Sequence, residues 1–303
     1  MHPFFAAAVW DVRFEALSKD SARLESVGCR PGGAWGAMTQ RTIMAEFEEF
    51  VPPKHWILLR GLGRESRHWF DFPRSFAQAL GCEVHVMDLP GAGRELRRTT
   101  PLRIQGISDD VEERLPFGQK TEFAVLGLSL GGMVALQLAS ASRWCRRVVL
   151  VNSSSALSKP TARFQPSALP MLMSSIVRGD VLTRERQIYW NTTRLRRGSY
   201  REFAAEAETF YRTAPVRRTT VCNQLIAAGR FRPPKVDVPA LVLSSRADQL
   251  VKPECSSVIA GWLGVEHYQH PAAGHDLTLD DPEWVSARIA DWLRLPARRT
   301  IHN

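Results

Sequence analysis

Short apolar runs and amphipathic stretches take turns along much of the chain. "HWILLR" (55–60) is an apolar run that closes on a glycine, as a strand buried on both faces does. "SRHWFDFPRSFAQAL" (66–80) has helical spacing, with Pro73 expected to interrupt it. "EVHVMDL" (83–89) reads as a strand running into the turn "PGAGR", and "QGISDDVEERL" (105–115) as a helix. "EFAVLGL" (122–128) predicts a strand, "GMVALQLAS" (132–140) a helix and "RRVVLVNSS" (146–154) a further strand. Strand and helix in alternation call for an α/β fold, a mostly parallel sheet with helices on both faces.

The alternation breaks at Ser155. The residues up to 235 read as helical and carry no convincing strand. It resumes with "PALVLSS" (239–245), a helix over 253–262, the strand "VEHYQHP" (265–271) and the helix "PEWVSARIADWL" (282–293). The expected organisation is therefore a core of residues 41–154 and 236–297, interrupted by a helical insertion at 155–235. Before the core, "RTIMAEFEEFV" (41–51) suits an edge strand. Residues 1–40, with the glycine-rich "GCRPGGAWGAM", suit a loosely attached extension. The apolar run Pro3–Trp10 makes a poor secretion signal, because no basic stretch precedes it and charges follow at once.

Composition narrows the picture. Hydrophobic residues make up 44% of the 303, enough for a globular core. No apolar run approaches the roughly 18 residues that cross a bilayer. The five cysteines (29, 82, 145, 222 and 255) are odd in number, scattered and without metal-ligand spacing, which suits a reducing, cytoplasmic compartment. The net charge is +9, and the segment 155–235 alone carries 15 Lys and Arg against 5 Asp and Glu, a net of +10. That excess suits either a solvated arginine-rich surface or a face for an anionic substrate or membrane surface. No zinc-finger spacing or aromatic–basic motif accompanies it, so nucleic acid is not an expected partner.

Candidate chemistry centres on "LGLSLGGMVALQLA" (126–139). Ser129 falls where the strand 122–128 meets the helix after it. A joint this sharp forces strained backbone angles on its central residue. It also brings the positions two before and two after it together, so only residues as small as Gly127 and Gly131 fit. The kink lifts the serine oxygen clear of the backbone and aims the Leu130 N–H at whatever that oxygen attacks. A serine hydroxyl needs a base, commonly a histidine oriented by a carboxylate. His275, in the loop after the last strand, stands at the carboxyl end of the sheet, where α/β folds place their sites. His267 and His270 lie inside that strand, and His55 and His68 flank an earlier turn. Asp248, three residues past the strand 239–245, is the expected orienting acid. Asp276 and Asp280 lie nearer in sequence, but an immediate neighbour rarely reaches around to hold the ring. A second oxyanion donor is expected from the Leu62 N–H in "RGLGRESRHW".

These residues resemble the α/β-hydrolase superfamily over about residues 52–295, through "RGLG", "DLPGAGR" (88–94), "GLSLGG" (127–132), "SSRADQLV" (244–251) and "GHD" (274–276). The resemblance implies an eight-stranded sheet and a helical cap over 155–235. It also implies acyl transfer by Ser129, His275 and Asp248 without metal or organic cofactor. Where such proteins commonly carry histidine before the oxyanion-turn glycine, this chain has Arg60. The expected activity is hydrolysis of a small-molecule carboxylic ester with a short to medium acyl chain. Met171, Met173 and Trp69 are the candidate substrate contacts. The alternatives are a thioesterase or acyltransferase, whose coenzyme A or acyl-carrier substrate the cap arginines would hold, and a ligand receptor without turnover.

Overall fold

The computed structural model describes residues 53–118, 120–168 and 180–294, all of which fall in one compact unit. The expected extension 1–40, the edge strand 41–51, and Met171 and Met173 lie outside the described residues.

Six strands form one fully parallel sheet in the order β2-β1-β3-β4-β5-β6. They are β1 (His55–Leu59), β2 (Glu83–Met87), β3 (Phe123–Leu128), β4 (Cys145–Val151), β5 (Ala240–Ser245) and β6 (Glu266–His270). The eight strands implied by the resemblance are thus not reached among the described residues. Every residue of β3 and β5 is buried, which accounts for their continuous apolar runs. The sheet's outer strands in this order, β2 ("EVHVM") and β6 ("EHYQH"), carry the polar side chains.

Helices cover both faces. On one, the helices Ile104–Glu113, Leu130–Ala141 and Glu254–Leu263 bury Ile107, Val134 and Ile259 over Ile57, Val125, Val148 and Val242. On the other, the helix Phe72–Leu80 packs against Pro282–Leu293, and Phe76 meets Trp56 edge-on at 5.2 Å. Each such fully buried side chain contributes about 1.5–3 kcal/mol. Pro73 does not interrupt a helix. It opens one, because at the first turn its missing N–H would have had no partner.

The described part of 155–235 contains no strand. Its main helices are Val181–Thr192, Tyr200–Thr213 and Arg218–Arg230. The first two share an apolar cluster of Tyr189, Ala204, Ala207 and Phe210, and Phe70 joins that cluster from the loop after β1. The segment is therefore packed onto the carboxyl ends of the strands.

The tightest backbone approach in the sheet lies at the joint between β3 and the helix that follows. A Cβ on Gly131 would stand 2.1 Å from the Leu59 carbonyl oxygen, and one on Gly127 2.1 Å from that of Gly131. Gly131→Ala should therefore cost about 1–3 kcal/mol of stability, the range of an overpacked core. Gly198→Ala, where a Cβ meets nothing within 4 Å, should shift stability by less than about 0.5 kcal/mol. Urea unfolding of the two variants beside the parent checks both.

Candidate active site

Ser129 occupies the joint with φ 58° and ψ −117°, a region that side-chain-bearing residues rarely enter. The surroundings hold it there. Its N–H donates to the Val151 carbonyl at 2.8 Å, and its carbonyl accepts from Gly132 N–H at 3.0 Å and from the Ser153 hydroxyl at 2.8 Å. The side chain faces a cavity of about 430 Å³ at the carboxyl ends of the strands.

His275 lines the same cavity. Its Nδ1 stands 2.7 Å from Asp248 Oδ2, and both residues are buried. Asp248 is itself fixed, because its Oδ1 accepts from the Leu250 and Val251 N–H groups at 2.8 and 3.0 Å. A carboxylate so held keeps the Nδ1 side of the ring occupied and leaves Nε2 to work. Leu62 and Leu130 also line the cavity. The Leu62 turn is braced by Gly63 N–H donating to Gln224 Oε1 at 2.8 Å and Arg64 N–H to the Gly61 carbonyl at 3.2 Å. A hydroxyl, an oriented imidazole and two turns at one cavity are the parts that acyl transfer requires.

The other histidines have different occupations. His68 lines the cavity, but its Nδ1 accepts from Glu65 N–H at 3.1 Å. Burial, and then the charges of Arg64 and Arg60, push it well below the usual imidazole range. It is a poor proton acceptor. His267 pairs with the Ser244 hydroxyl at 2.7 Å, and His270 with Asp281 at 3.1 Å. His55 lies at the start of β1, the opposite end of the strand from the cavity.

Trp69 is 2% exposed, stacked on Phe72 at 5.5 Å beneath the Arg60 guanidinium, and is not among the cavity's lining residues. The reason is the 3-10 turn Ser66–Trp69, which rolls the indole inward while His68 stays at the cavity wall.

Several residues that hold this arrangement carry no motif. Arg60 grips Asp276 through two hydrogen bonds of 3.2 and 2.6 Å, both side chains buried. This pair ties the Leu62 turn to the His275 loop. Asp280 accepts from the Gly274 N–H at 2.7 Å and from Arg194 N–H at 2.8 Å, tying the same loop to the 155–235 segment. Burial raises the Asp280 carboxyl above its usual range in spite of those donors. Asn152, at φ 47°, reaches from the end of β4 to the His275 carbonyl at 2.8 Å and to Ser245 N–H at 2.8 Å. The available signals were a charged residue ending an apolar strand at Arg60 and the "GHDLTLD" acid cluster. Neither discloses a partner about two hundred residues away.

The excess positive charge is partly consumed inside. Arg64 and Arg184, both at the cavity, share Glu185. Arg163 donates to the Gly229 carbonyl at 3.1 Å and also to that of Ala228. No helix among the described residues is long and apolar enough to cross a membrane.

The model of the alpha/beta hydrolase family matches residues 56–288, and the chain belongs to that family. It is similar to the pimeloyl-[acyl-carrier protein] methyl ester esterase of Nitrosospira multiformis, at 35% identity over 86 residues, 27% of this chain and 32% of that protein. That match spans about a third of the relative's length. The enol-lactonase of Burkholderia xenovorans LB400 has the same fold, with TM-score 0.65 and 19% identity over 82% of this chain and 94% of that one. So does the RedJ thioesterase of the prodiginine pathway in Streptomyces coelicolor, with TM-score 0.54 and 19% identity over 80% and 91%. At such identities the likeness concerns fold alone.

Asp276 tests the Arg60 pair. Burial pushes its carboxyl up, but the Arg60 guanidinium outweighs this, with help from Thr278 and the neighbouring His275, and leaves it below its ordinary value of 3.8. A folded-state value below the unfolded one adds stability above that pH, and the gain is lost as pH falls through and below it. Arg60→Met should cost about 3–5 kcal/mol at pH 7 by stranding a buried carboxylate. The cost should shrink toward pH 4, as the stranded acid takes a proton. Arg60→Met/Asp276→Leu should recover most of the loss. Urea unfolding across pH checks all three.

Proposed function

We propose that the protein is a serine hydrolase acting on carboxylic esters. The observation that carries this reading is the oriented His275–Asp248 pair at 2.7 Å, opening on the cavity that Ser129 also lines. Ser129 Oγ attacks the ester carbonyl carbon while His275 Nε2 takes its proton, and Asp248 stabilises the resulting imidazolium. The negative charge that develops on the carbonyl oxygen meets the N–H groups of Leu62 and Leu130. One such donor typically contributes about 2.7–4 kcal/mol to the transition state. The imidazolium then protonates the departing alkoxide and leaves an acyl group on Ser129. Water, deprotonated by His275, adds to the acyl carbon, and the acid departs as the serine recovers its proton.

The cavity volume of about 430 Å³ lies in the lower half of the usual range for small-molecule sites, roughly 300–1,000 Å³. Phe164, Ile188, Phe210 and Leu225 give it apolar walls. Both features favour short to medium acyl chains. The partial likeness to a methyl ester esterase supports ester substrates.

A second reading, hydrolysis or transfer of thioesters on coenzyme A or a carrier protein, draws on the basic 155–235 segment. Arg64 and Arg184 share the single carboxylate of Glu185, which answers only part of the charge at the cavity.

Ser129→Ala and His275→Ala should each lower p-nitrophenyl ester turnover by about 10⁴-fold or more, and Asp248→Asn by less. A fluorophosphonate probe should label the parent and not Ser129→Ala. Full turnover in Ser129→Ala would mean another nucleophile. Failure of the parent to label would favour a receptor without turnover. Faster acyl-CoA than ester turnover, weakened by salt, would favour the thioester reading.

A further inference from the structure

The amino ends of β1 and β2, opposite the cavity, gather three side chains that the reaction does not use. In the parallel register His55 pairs with Glu83 and Ile57 with His85. Residues two apart on a strand share a face, and so do paired residues on neighbouring strands. His55, Glu83 and His85 therefore project together. His55 Nδ1 stands 3.2 Å from His85 Nε2 and 3.4 Å from Glu83 Oε2, and the three ligand atoms all lie within 4.8 Å of one another.

We propose that this cluster is a binding site for a divalent zinc ion, with two imidazoles and one carboxylate as its protein ligands. The distances suit the ion. Zinc bonds of about 2.0–2.1 Å to nitrogen and 2.0–2.2 Å to oxygen, arranged tetrahedrally, place neighbouring ligand atoms about 3.3–3.5 Å apart. Two of the three separations already match. The third closes by a small rotation of the Glu83 side chain, which is 53% exposed.

The surroundings favour a metal over a mere hydrogen-bonded pair of rings. Phe117 packs against both imidazoles, at 5.3 and 5.5 Å between ring centres, and limits their reorientation. Glu83 keeps its Oε1 on Lys54 at 3.0 Å, which leaves Oε2 toward the histidines and steadies the carboxylate. Water completes the coordination on the exposed side.

The site joins β2, an outer strand in the sheet order, to its neighbour β1. Its role is to fasten that edge rather than to take part in acyl transfer.

The test uses tag-free full-length protein, stripped with a chelator and returned to a non-coordinating buffer at pH 7.5. Zinc is titrated calorimetrically, and thermal unfolding is followed with and without the ion. One equivalent should bind with micromolar affinity and raise Tm. His55→Gln and His85→Gln should each weaken binding by at least about tenfold, as should the surface substitution Glu83→Gln, which spares the core. Lowering pH to 5.5 should weaken it, because protons and metal compete for the same ligand atoms. Ester turnover by the stripped protein should equal that of the loaded one. The proposal is overturned if no saturable binding occurs, or if one equivalent still binds with parental affinity in His55→Gln/His85→Gln.

Discussion

The approach of Gly131 to the carbonyl of Leu59 is the contact on which the rest of the arrangement turns. It lets the helix after β3 begin immediately against β1, with no room for even a methyl group between the two backbones. The chain can then reverse only by placing one residue at φ 58°, and Ser129 is that residue. The strain is supported from the neighbouring strand, because Val151 accepts the Ser129 N–H while Ser153 reaches its carbonyl. Backbone held on such a kink has little freedom left to lose, so the Ser129 side chain starts from a fixed point at the cavity.

Around this kink, three loops from distant parts of the sequence meet the cavity, and buried polar groups hold them in register. Arg60 and Asp276 link the first loop to the last, Asn152 links β4 and β5 to that same last loop, and Asp280 links it to the helical segment above. Pairs like these add little net stability over apolar replacements of the same shape. Their effect is on geometry, because a loop that moved would strand a charge or a donor away from water. The replacement of the family's usual histidine by Arg60 thus brings its own partner with it, and the turn that carries Leu62 is braced through Asp276.

The two ends of the parallel sheet carry separate groups of polar side chains. At the carboxyl ends the strands release loops carrying Ser129, Asp248 and His275. At the amino ends the same register aligns His55, Glu83 and His85. Parallel pairing produces both groupings, since it brings like ends of different strands side by side however far apart they are in sequence.

Local pattern was enough to place the alternating strands and helices of the sheet, the kink at Ser129, and His275 and Asp248 in loops just past strands. These are local matters of apolar periodicity, glycine spacing and position just past a strand. It also marked the break at Ser155, because an eighty-residue stretch without strand periodicity stands out against regular alternation. The tertiary structure alone decided which strands became neighbours, that Trp69 turns inward, and that Arg60 meets Asp276. It also decided that Arg163 is spent on internal carbonyls and Arg184 on Glu185. Those outcomes depend on contacts between residues far apart along the chain. Such partners are chosen by packing and by the cost of burying an unpaired charge, and neither leaves a trace in local spacing.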